Sequence, residues 1–146
     1  MVLILIFFDT HVNLMHMENI KYVLTKKYSG NQIVAIIDGE EVGLLNYVFR
    51  QNKCLLLVIS VKENFRGRGI SSHLLKILEN DAIDNNINYI EGRYCPTSDN
   101  AKFMYDRFGY SITRDNYQDY VYKHGLSYYD DVKVEIIDNT FCIDDV

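Results

Sequence analysis

Residues 64–75, NFRGRGISSHLL, place two arginines and two glycines between a run of branched apolar residues and the start of a helical pattern. A helix that begins in a glycine-rich turn leaves its first backbone N–H groups unpaired, and the helix dipole adds partial positive charge there. Gly67 and Gly69 leave room for an anion to approach those N–H groups. Because Arg66 and Arg68 add charge and long side-chain donors, the pattern favours binding of a phosphate or pyrophosphate group.

The spacing of these glycines differs from that of two well-known nucleotide motifs. The dinucleotide fingerprint needs G-x-G-x-x-G and a later acidic residue after a strand, and a P-loop needs G-K-[ST]; neither is present. An RNA-binding RG tract is a third alternative, but such tracts are flexible and contain dispersed basic and aromatic residues. This RG pair lies between a predicted strand and a predicted helix, so we expect no nucleic acid partner.

The apolar residues on either side of the turn predict the elements that hold it. Residues 54–61, CLLLVISV, are apolar on both alternating faces, which is typical of a strand in the middle of a covered sheet. From Gly69 onward the apolar spacing is helical, and the pattern ends in DNNIN, residues 84–88, where paired asparagines suit a helix end. The predicted buried face of this helix consists of Ile70, Leu74, Leu75, Ile77, Leu78, Ala82 and Ile83.

Further strands are predicted before and after this unit. Residues 20–28 have a strand pattern, and residues 32–49 indicate two strands joined at Asp38-Gly39, because Asp-Gly between β-branched runs is a strong hairpin signal. Residues 89–94, YIEGRY, form a short predicted strand, and YSIT and YQDYVYK flank RDN as a second hairpin. The order of elements predicts one α/β domain with a mixed sheet and a central strand–helix–strand unit.

A second helix is predicted within NAKFMYDRFGY, residues 100–110. Pro96 and Ser98 supply a turn and a helix N-cap before it, and Gly109 suits the left-handed position that ends a helix. Four apolar residues fall at i, i+3, i+4 and i+7 and form its inner stripe: Ala101, Met104, Tyr105 and Phe108.

These segments resemble motifs of the GNAT superfamily of acyl-CoA-dependent N-acetyltransferases. Residues 66–71, RGRGIS, are similar to the family signature R-x-x-G-x-[GA], with Ser71 in place of glycine or alanine. Residues 100–110 are similar to N-A-x-x-x-Y-x-x-x-G-[FY], and DYVYK, residues 119–123, is similar to the D-A-x-x-M-x-K ending of the family's last strand. The resemblance covers roughly residues 20–124.

The resemblance implies a fold and a co-substrate. The fold is a single-domain GNAT-like α/β (α+β) domain, with a mixed, mostly antiparallel central sheet, splayed strands four and five, and flanking helices. The co-substrate is acetyl-CoA, whose pantetheine arm would enter the gap between those strands. The coenzyme-binding residues it implies are Ile59, Ser60 and Val61 for the pantetheine, Arg66, Gly67, Arg68, Gly69, Ile70 and Ser71 for the pyrophosphate, and Asn100 beside the pantetheine.

The implied reaction is direct attack of a primary amine on the thioester of acetyl-CoA in a ternary complex. Tyr105 would face the thiol sulfur and act as the general acid. Family members often have a glutamate or histidine on or near strand four, but CLLLVISV has neither. Glu41, Glu91 or a water relay that includes Ser60 are the alternatives for the base. His73 is one turn into the helix, and we expect it to have a surface or packing role.

The acceptor that the resemblance implies is a primary amine of a small molecule or a protein. The chain before residue 32 is short for the two acceptor-binding helices that the family usually has there, which favours an open cleft or one completed by a partner subunit in a homodimer. Tyrosines 117, 120, 122, 128 and 129 could line an aromatic acceptor site, but sheet packing or an interface is the more ordinary role. The alternative function is a non-catalytic GNAT-fold binding or regulatory module.

Composition sets the wider limits. The length of 146 residues and the hydrophobic fraction of 48% predict one folded domain with a core of its own. Residues 125–146 contain six acids and one lysine, so the net charge of −5 belongs to this acidic extension, in which VKVEII and TFCI are two potential strands. Residues 1–19, which begin MVLILIFF, are expected to form a strand or an apolar arm and not a targeting segment or membrane span, with Met15 and Met17 as alternative starts.

The three cysteines are Cys54, Cys95 and Cys142. They are odd in number, far apart and without metal-like spacing, which indicates a reducing, cytoplasmic environment and no metal site. Cys95 precedes the helix that would face the thiol, but an ordinary structural role is expected because no partner that would lower its pKa is evident.

Overall fold

The computed structural model describes residues 19–94, 99–115 and 118–140, and for residues 99, 100 and 115 it describes only the backbone. This part of the chain contains eight strands and two α-helices, with a short 3₁₀ turn at Glu63–Phe65. The strands are β1 (Lys21–Lys27), β2 (Gly30–Ile37), β3 (Glu40–Arg50), β4 (Lys53–Val61), β5 (Tyr89–Tyr94), β6 (Ser111–Asp115), β7 (Gln118–His124) and β8 (Glu135–Asp138). The helices are α1 (Ile70–Asp84) and α2 (Asp99–Arg107).

The strands form one sheet in the order β6-β7-β5-β4-β3-β2-β1-β8. Neighbouring strands are antiparallel except for β4 with β5 and β1 with β8, which are parallel. Helix α1 connects the parallel pair β4 and β5 and so forms the strand–helix–strand unit. This unit lies in the interior of the sheet, because both strands have neighbours on each side. The predicted mixed, mostly antiparallel sheet is therefore confirmed.

Tight turns join the first four strands. Asp38 and Gly39 have φ angles of 51° and 79°, as a two-residue hairpin turn of the I′ type requires, so the predicted hairpin is confirmed. Only residues 28 and 29 separate β1 from β2. The short connection leaves no chain for helices between these two strands.

Helix α1 packs across β2, β3 and β4. Six of its seven predicted core residues are buried, and Ile83 is half-buried. Each such aliphatic side chain contributes about 1.5–3 kcal/mol of burial free energy. A Cβ on Gly43 of β3 would lie 2.9 Å from Cγ2 of Ile70 and 3.6 Å from Cδ1 of Leu74. The absence of a side chain at Gly43 therefore lets the helix approach the sheet closely.

The chain after β7 crosses α1 and returns to the other edge of the sheet. The side-chain amide of Asn80 donates to the carbonyl oxygen of Tyr129 at 2.8 Å, and the N–H of Tyr129 donates to Oδ1 of Asn80 at 2.7 Å. Lys76 forms an ion pair with Asp131 at 2.7 Å. The acidic extension therefore packs on the domain, and of its two potential strands the first is present as β8, whereas most of TFCI lies outside the described residues.

Strands β4 and β5 pair over only three residues and then separate, as expected for splayed strands four and five. The paired positions are Cys54 with Ile90, Leu55 with Glu91 and Leu56 with Gly92. The register between β3 and β4 shifts at the same level, where Leu57 is the extra residue of a bulge.

The bulge changes which residues of β4 are covered. It keeps Ile59 and Val61 on the same side of the sheet as Leu56, and Val61 is buried. Leu57 and Val58, by contrast, are 58% and 44% exposed. The expectation of a strand covered on both faces is therefore wrong for the second half of β4, because Leu57 and Val58 face an open cleft.

Gly92 is the last residue of β5 that pairs with β4, and it allows the closest approach. A Cβ there would lie 2.9 Å from the carbonyl oxygen of Leu56. We expect Gly92→Ala to lower the free energy of unfolding by about 1–3 kcal/mol, because backbone atoms would have to move apart. Urea denaturation measures this change.

Gly43→Ala is the matched control, because its new Cβ would first meet side-chain and not backbone atoms: Cγ2 of Ile70 at the same 2.9 Å and Cβ of Ala35 at 3.3 Å. It should reduce stability less than Gly92→Ala. If the Gly92→Ala variant were as stable as the wild-type protein, the close approach of the two strands would not be required.

Candidate functional site

A cleft of about 1240 Å³ opens where β4 and β5 separate. Its walls are the second half of β4, the turn before α1, the end of β5 and one side of α2. Every predicted coenzyme-binding residue whose side chain is described lines this cleft, with the exception of Arg68. The sequence-predicted residues are therefore brought together at one place.

The backbone of β4 presents unpaired polar groups to the cleft at alternate residues. The N–H of Lys62 donates to the carbonyl oxygen of Val42 on β3 at 2.9 Å. Because hydrogen bonding alternates along an antiparallel pair, the backbone groups of Ser60 also face β3, whereas those of Ile59 and Val61 face the cleft. Backbone pairing with a ligand was expected at all three residues. The ladder leaves only Ile59 and the N–H of Val61 available for it, because the carbonyl oxygen of Val61 accepts from Nε of Arg66 at 3.2 Å.

The turn before α1 has the backbone geometry of an anion site. Gly67 and Gly69 have φ angles of 78° and 80°, which residues other than glycine rarely adopt. A Cβ on either residue would meet no atom within 4 Å. No side chain caps the first N–H groups of α1, and the buried side chain of Ile70 anchors the helix start in the core. These N–H groups and the helix dipole can therefore bind a phosphate.

The two arginines of the turn have different surroundings. Nε of Arg66 donates to the carbonyl oxygen of Val61 at 3.2 Å, and Arg66 lines the cleft. The guanidinium carbon of Arg68 lies 4.9 Å from the centre of the Phe65 ring, over its face. Arg68 was expected to supply charge to the same anion, but its contact with Phe65 places it outside the cleft lining.

Tyr105 of α2 forms part of the opposite wall. It is only 4% exposed, and its ring meets those of Tyr94 at 6.1 Å and Tyr110 at 5.4 Å, both edge to face. Burial, with a smaller effect of Tyr94, raises the pKa of Tyr105 to about 12. The hydroxyl therefore stays protonated at neutral pH and can donate a hydrogen bond.

Part of the α2 prediction is confirmed and part lies outside the described residues. The stripe of Ala101, Met104, Tyr105 and Phe108 faces inward, and Gly109 ends the helix with a φ of 79°. The side chain of Asn100, together with residues 95–98 that include Cys95, Pro96 and Ser98, lies outside the described part of the chain.

The two glutamates considered as the base, and also His73, lie away from the cleft. Glu91 accepts from the hydroxyl of Tyr89 at 3.0 Å and pairs with Lys53 at 3.5 Å, at the closed end of the two strands. Glu41 is exposed on β3, and neither glutamate lines the cleft. His73 stacks on Tyr22 with ring centres 4.0 Å apart, so its predicted packing role is confirmed. Ser60 does line the cleft.

Sequence reasoning assigned no site role to seven polar or aromatic residues of the lining: Phe65, Ser72, Arg93, Tyr94, Phe103, Asp106 and Arg107. Phe103, Asp106 and Arg107 lie outside the apolar stripe of α2, which indicated exposure. No pattern along the chain indicated that this side of the helix borders a cleft.

Of the five tyrosines considered for an acceptor site, the four that are described do not line the cleft. Tyr120 and Tyr122 are half-buried on β7, and Tyr122 contacts the ring of His124. Tyr129 packs against Phe108, and Tyr128 is exposed. Tyr117 lies outside the described residues. An aromatic pocket is therefore not assembled from the four that are described.

The described residues contain neither a cluster of metal ligands nor a helix that could cross a membrane. No group of three or more histidine, cysteine, aspartate or glutamate side chains there is arranged to hold a metal ion. No helix in residues 19–94, 99–115 and 118–140 is long and apolar enough to span a membrane. Cys54 is buried, and burial raises the pKa of its thiol.

Comparison with known families decides the assignment. A family sequence model described as Acetyltransferase (GNAT) domain matches residues 29–112, which is more than half of the chain. The chain belongs to the GNAT acetyltransferase family. No sequence of a curated protein matches it.

Solved structures of GNAT proteins have the same fold. The PaiA N-acetyltransferase of Thermoplasma acidophilum in complex with coenzyme A matches with a TM-score of 0.60 and 18% identity, over 64% of this chain and 59% of that protein. The ribosomal-protein-S18-alanine N-acetyltransferase of Escherichia coli matches with a TM-score of 0.60 and 13% identity, over 73% and 76%.

A GNAT family acetyltransferase of Elizabethkingia anophelis with acetyl-CoA bound matches with a TM-score of 0.57 and 19% identity, over 68% and 77%. At these identities the likeness establishes the GNAT fold. The matched region spans less than two thirds of the Thermoplasma acidophilum protein.

Proposed function

We propose that this GNAT protein transfers the acetyl group of acetyl-CoA to a primary amine by direct attack in a ternary complex. The observation that supports this most strongly is the arrangement around the cleft. An uncapped helix N-terminus with two left-handed glycines, free backbone groups of β4 and a buried, protonated tyrosine all border one space.

In this proposal the first N–H groups of α1 bind the pyrophosphate of acetyl-CoA. The turn of residues 66–71 surrounds it, and Arg66 supplies positive charge at the edge of the cleft. The pantetheine amides would pair with the backbone of Ile59 and with the N–H of Val61, which β5 leaves free. Binding of CoA or acetyl-CoA by the Thermoplasma acidophilum and Elizabethkingia anophelis proteins supports this assignment.

The chemistry needs a neutral amine and a stabilised leaving group. The amine nitrogen attacks the thioester carbon, a C–N bond forms, the C–S bond breaks, and the nitrogen releases one proton while the sulfur leaves as thiolate. A thiol has a pKa of about 8.5, well below the pKa of about 12 for Tyr105. We therefore propose that Tyr105 acts mainly by donating a hydrogen bond to the departing sulfur. The proton that the amine releases balances the negative charge of the thiolate.

We propose that water removes the proton from the amine, with Ser60 as a member of the relay. None of the carboxylates considered as a base lines the cleft, and Asp106, which does, is exposed. The acceptor is proposed to bind at an open cleft, because only two residues join β1 and β2. A cleft completed by a partner subunit in a homodimer is the alternative arrangement.

A non-catalytic GNAT-fold module is the second candidate function. The lack of a buried carboxylate or histidine among the described lining residues favours it. Such a module would bind the coenzyme but would not transfer the acetyl group.

Gly69→Ala tests the anion site against a matched control. Gly69 and Gly39 have nearly the same φ, 80° and 79°, and a Cβ on either meets open space. Both alanine variants should therefore lose a similar stability, about 1–2 kcal/mol. Only Gly69→Ala should weaken acetyl-CoA binding measured by calorimetry, by roughly tenfold or more, because its Cβ would occupy space beside the phosphate. An equal effect of the two variants on binding would place the pyrophosphate elsewhere.

Tyr105→Phe tests the leaving-group role. The assay is thiol release from acetyl-CoA with a panel of amines: spermidine, glucosamine, an alanine-initiated peptide and a lysine peptide with a blocked N-terminus. We expect kcat to fall about tenfold to a hundredfold in the variant, with the KM for acetyl-CoA little changed.

The pH dependence follows from the same assignment. Because burial raises the pKa of Tyr105 to about 12, its proton is present throughout the range in which the acceptor amine is deprotonated. The wild-type rate should therefore rise with pH toward the pKa of the amine, with no loss from Tyr105 below about pH 11. Tight acetyl-CoA binding without turnover of any amine in the panel would favour the binding module.

A further inference from the structure

A buried cluster of polar groups connects α1, the segment that follows α2, and β7. The hydroxyl of Tyr110 donates to Oε2 of Glu79 at 3.3 Å, and Nζ of Lys123 donates to Oε1 of the same carboxylate at 2.7 Å. Glu79 is fully buried, and the Lys123 ammonium also lies 5.5 Å from the centre of the Tyr110 ring. The two carboxylate oxygens are thus both occupied by donors from other elements.

Tyr110 links this cluster to Tyr105. The rings of the two tyrosines meet edge to face at 5.4 Å, and the backbone N–H of Tyr110 donates to the carbonyl oxygen of Tyr105 at 2.9 Å. Gly109 between α2 and Tyr110 adopts the left-handed conformation that turns the chain back toward α1. The Tyr110 ring therefore contacts Tyr105 on one side and is anchored to α1 and β7 on the other.

This link joins the two walls of the cleft. Helix α1 provides the anion site at its N-terminus, and α2 provides Tyr105, so the distance between phosphate and hydroxyl depends on how the two helices are held together. A leaving-group donor must be held within a fraction of an ångström of its position to be effective. A buried carboxylate with two fixed donors supplies such a connection.

We propose that the Glu79–Lys123 pair positions Tyr105 through Tyr110, and so sets the place of the Tyr105 hydroxyl relative to the coenzyme. The inference rests on the proposed function, since it needs Tyr105 to contact the coenzyme. Glu79, Tyr110 and Lys123 do not themselves border the cleft. Glu79, Tyr110 and Lys123 are positioning residues, and Tyr105 is the group that would contact the sulfur.

The same helix contains a second cluster with the same chemistry, which serves as an internal control. The hydroxyl of Tyr47 donates to Oδ2 of Asp81 at 2.6 Å, and Lys26 pairs with Oδ1 of Asp81 at 2.6 Å. Tyr47 is fully buried and its ring contacts Phe49. This cluster connects α1 to β1 and β3, so loss of the Tyr47 hydroxyl should affect stability without moving α2.

The test compares CoA with desulfo-CoA, which has a hydrogen in place of the thiol, and needs no acceptor. The quantity measured is the affinity for CoA divided by the affinity for desulfo-CoA. Calorimetry at about pH 9, where the thiol is partly ionised, gives this ratio, which reports the hydrogen bond to sulfur. We expect Tyr105→Phe to lower this ratio roughly tenfold and Tyr110→Phe to lower it roughly threefold. Tyr47→Phe should leave the ratio unchanged while losing a thermal stability similar to that of Tyr110→Phe.

The double variant distinguishes positioning from a general structural effect. If Tyr110 acts through the Tyr105 hydroxyl, adding Tyr110→Phe to Tyr105→Phe should lower the ratio no further. An unchanged ratio in Tyr110→Phe, or an equal loss in both backgrounds, would overturn the inference and leave the proposed function intact. Failure of the wild-type protein to bind CoA would instead overturn the proposed function and the inference with it.

Discussion

The candidate site depends on the point at which β4 and β5 stop pairing. Leu56 and Gly92 form the last parallel pair, and the missing side chain of Gly92 allows the two backbones to meet there. One residue later the bulge at Leu57 turns β4 toward β3, and β5 has no partner on that side. Backbone groups that would cost free energy if buried without a partner are left facing a cleft large enough for a ligand.

Helix α1 combines two requirements that ordinarily conflict. For the proposed binding of a pyrophosphate, its N-terminus must remain uncapped and open, whereas its body must be fixed, because an anion site that moves relative to the sheet would lose its geometry. The apolar face with Ile70 and Leu74 fixes it to the sheet, and the crossing segment after β7 covers its other side through Asn80. The buried carboxylates Glu79 and Asp81 each bind a lysine and a tyrosine from neighbouring elements. Loss of one partner from such a cluster would leave a buried charge unpaired, which is strongly destabilising.

Local patterns predicted most of the elements because their causes are local. The Asp38-Gly39 turn, the helical spacing from Ile70 onward and the left-handed Gly109 each follow from the residues at that position, and all three agree with the structure. The second half of β4 was predicted to be covered on both faces. This was wrong because a run of apolar residues is the same in a covered strand and in a strand that borders a cleft. Arg68 was assigned to the anion for its charge, although Phe65, three residues earlier, is the group it contacts.

The sequence by itself determined the strand–turn–helix unit, the family and the two segments that border the cleft, since turn geometry and side-chain periodicity depend on neighbours along the chain. Only the tertiary structure decided which groups meet across it: that Ile59 and Val61, and not Ser60, direct their backbone into the cleft, and that Glu91 and His73 are engaged elsewhere. It also joined Glu79 to Tyr110 and Lys123, which are 31 and 44 residues away along the chain. Contacts of this kind depend on the strand order and on how the helices pack, and no local pattern encodes them.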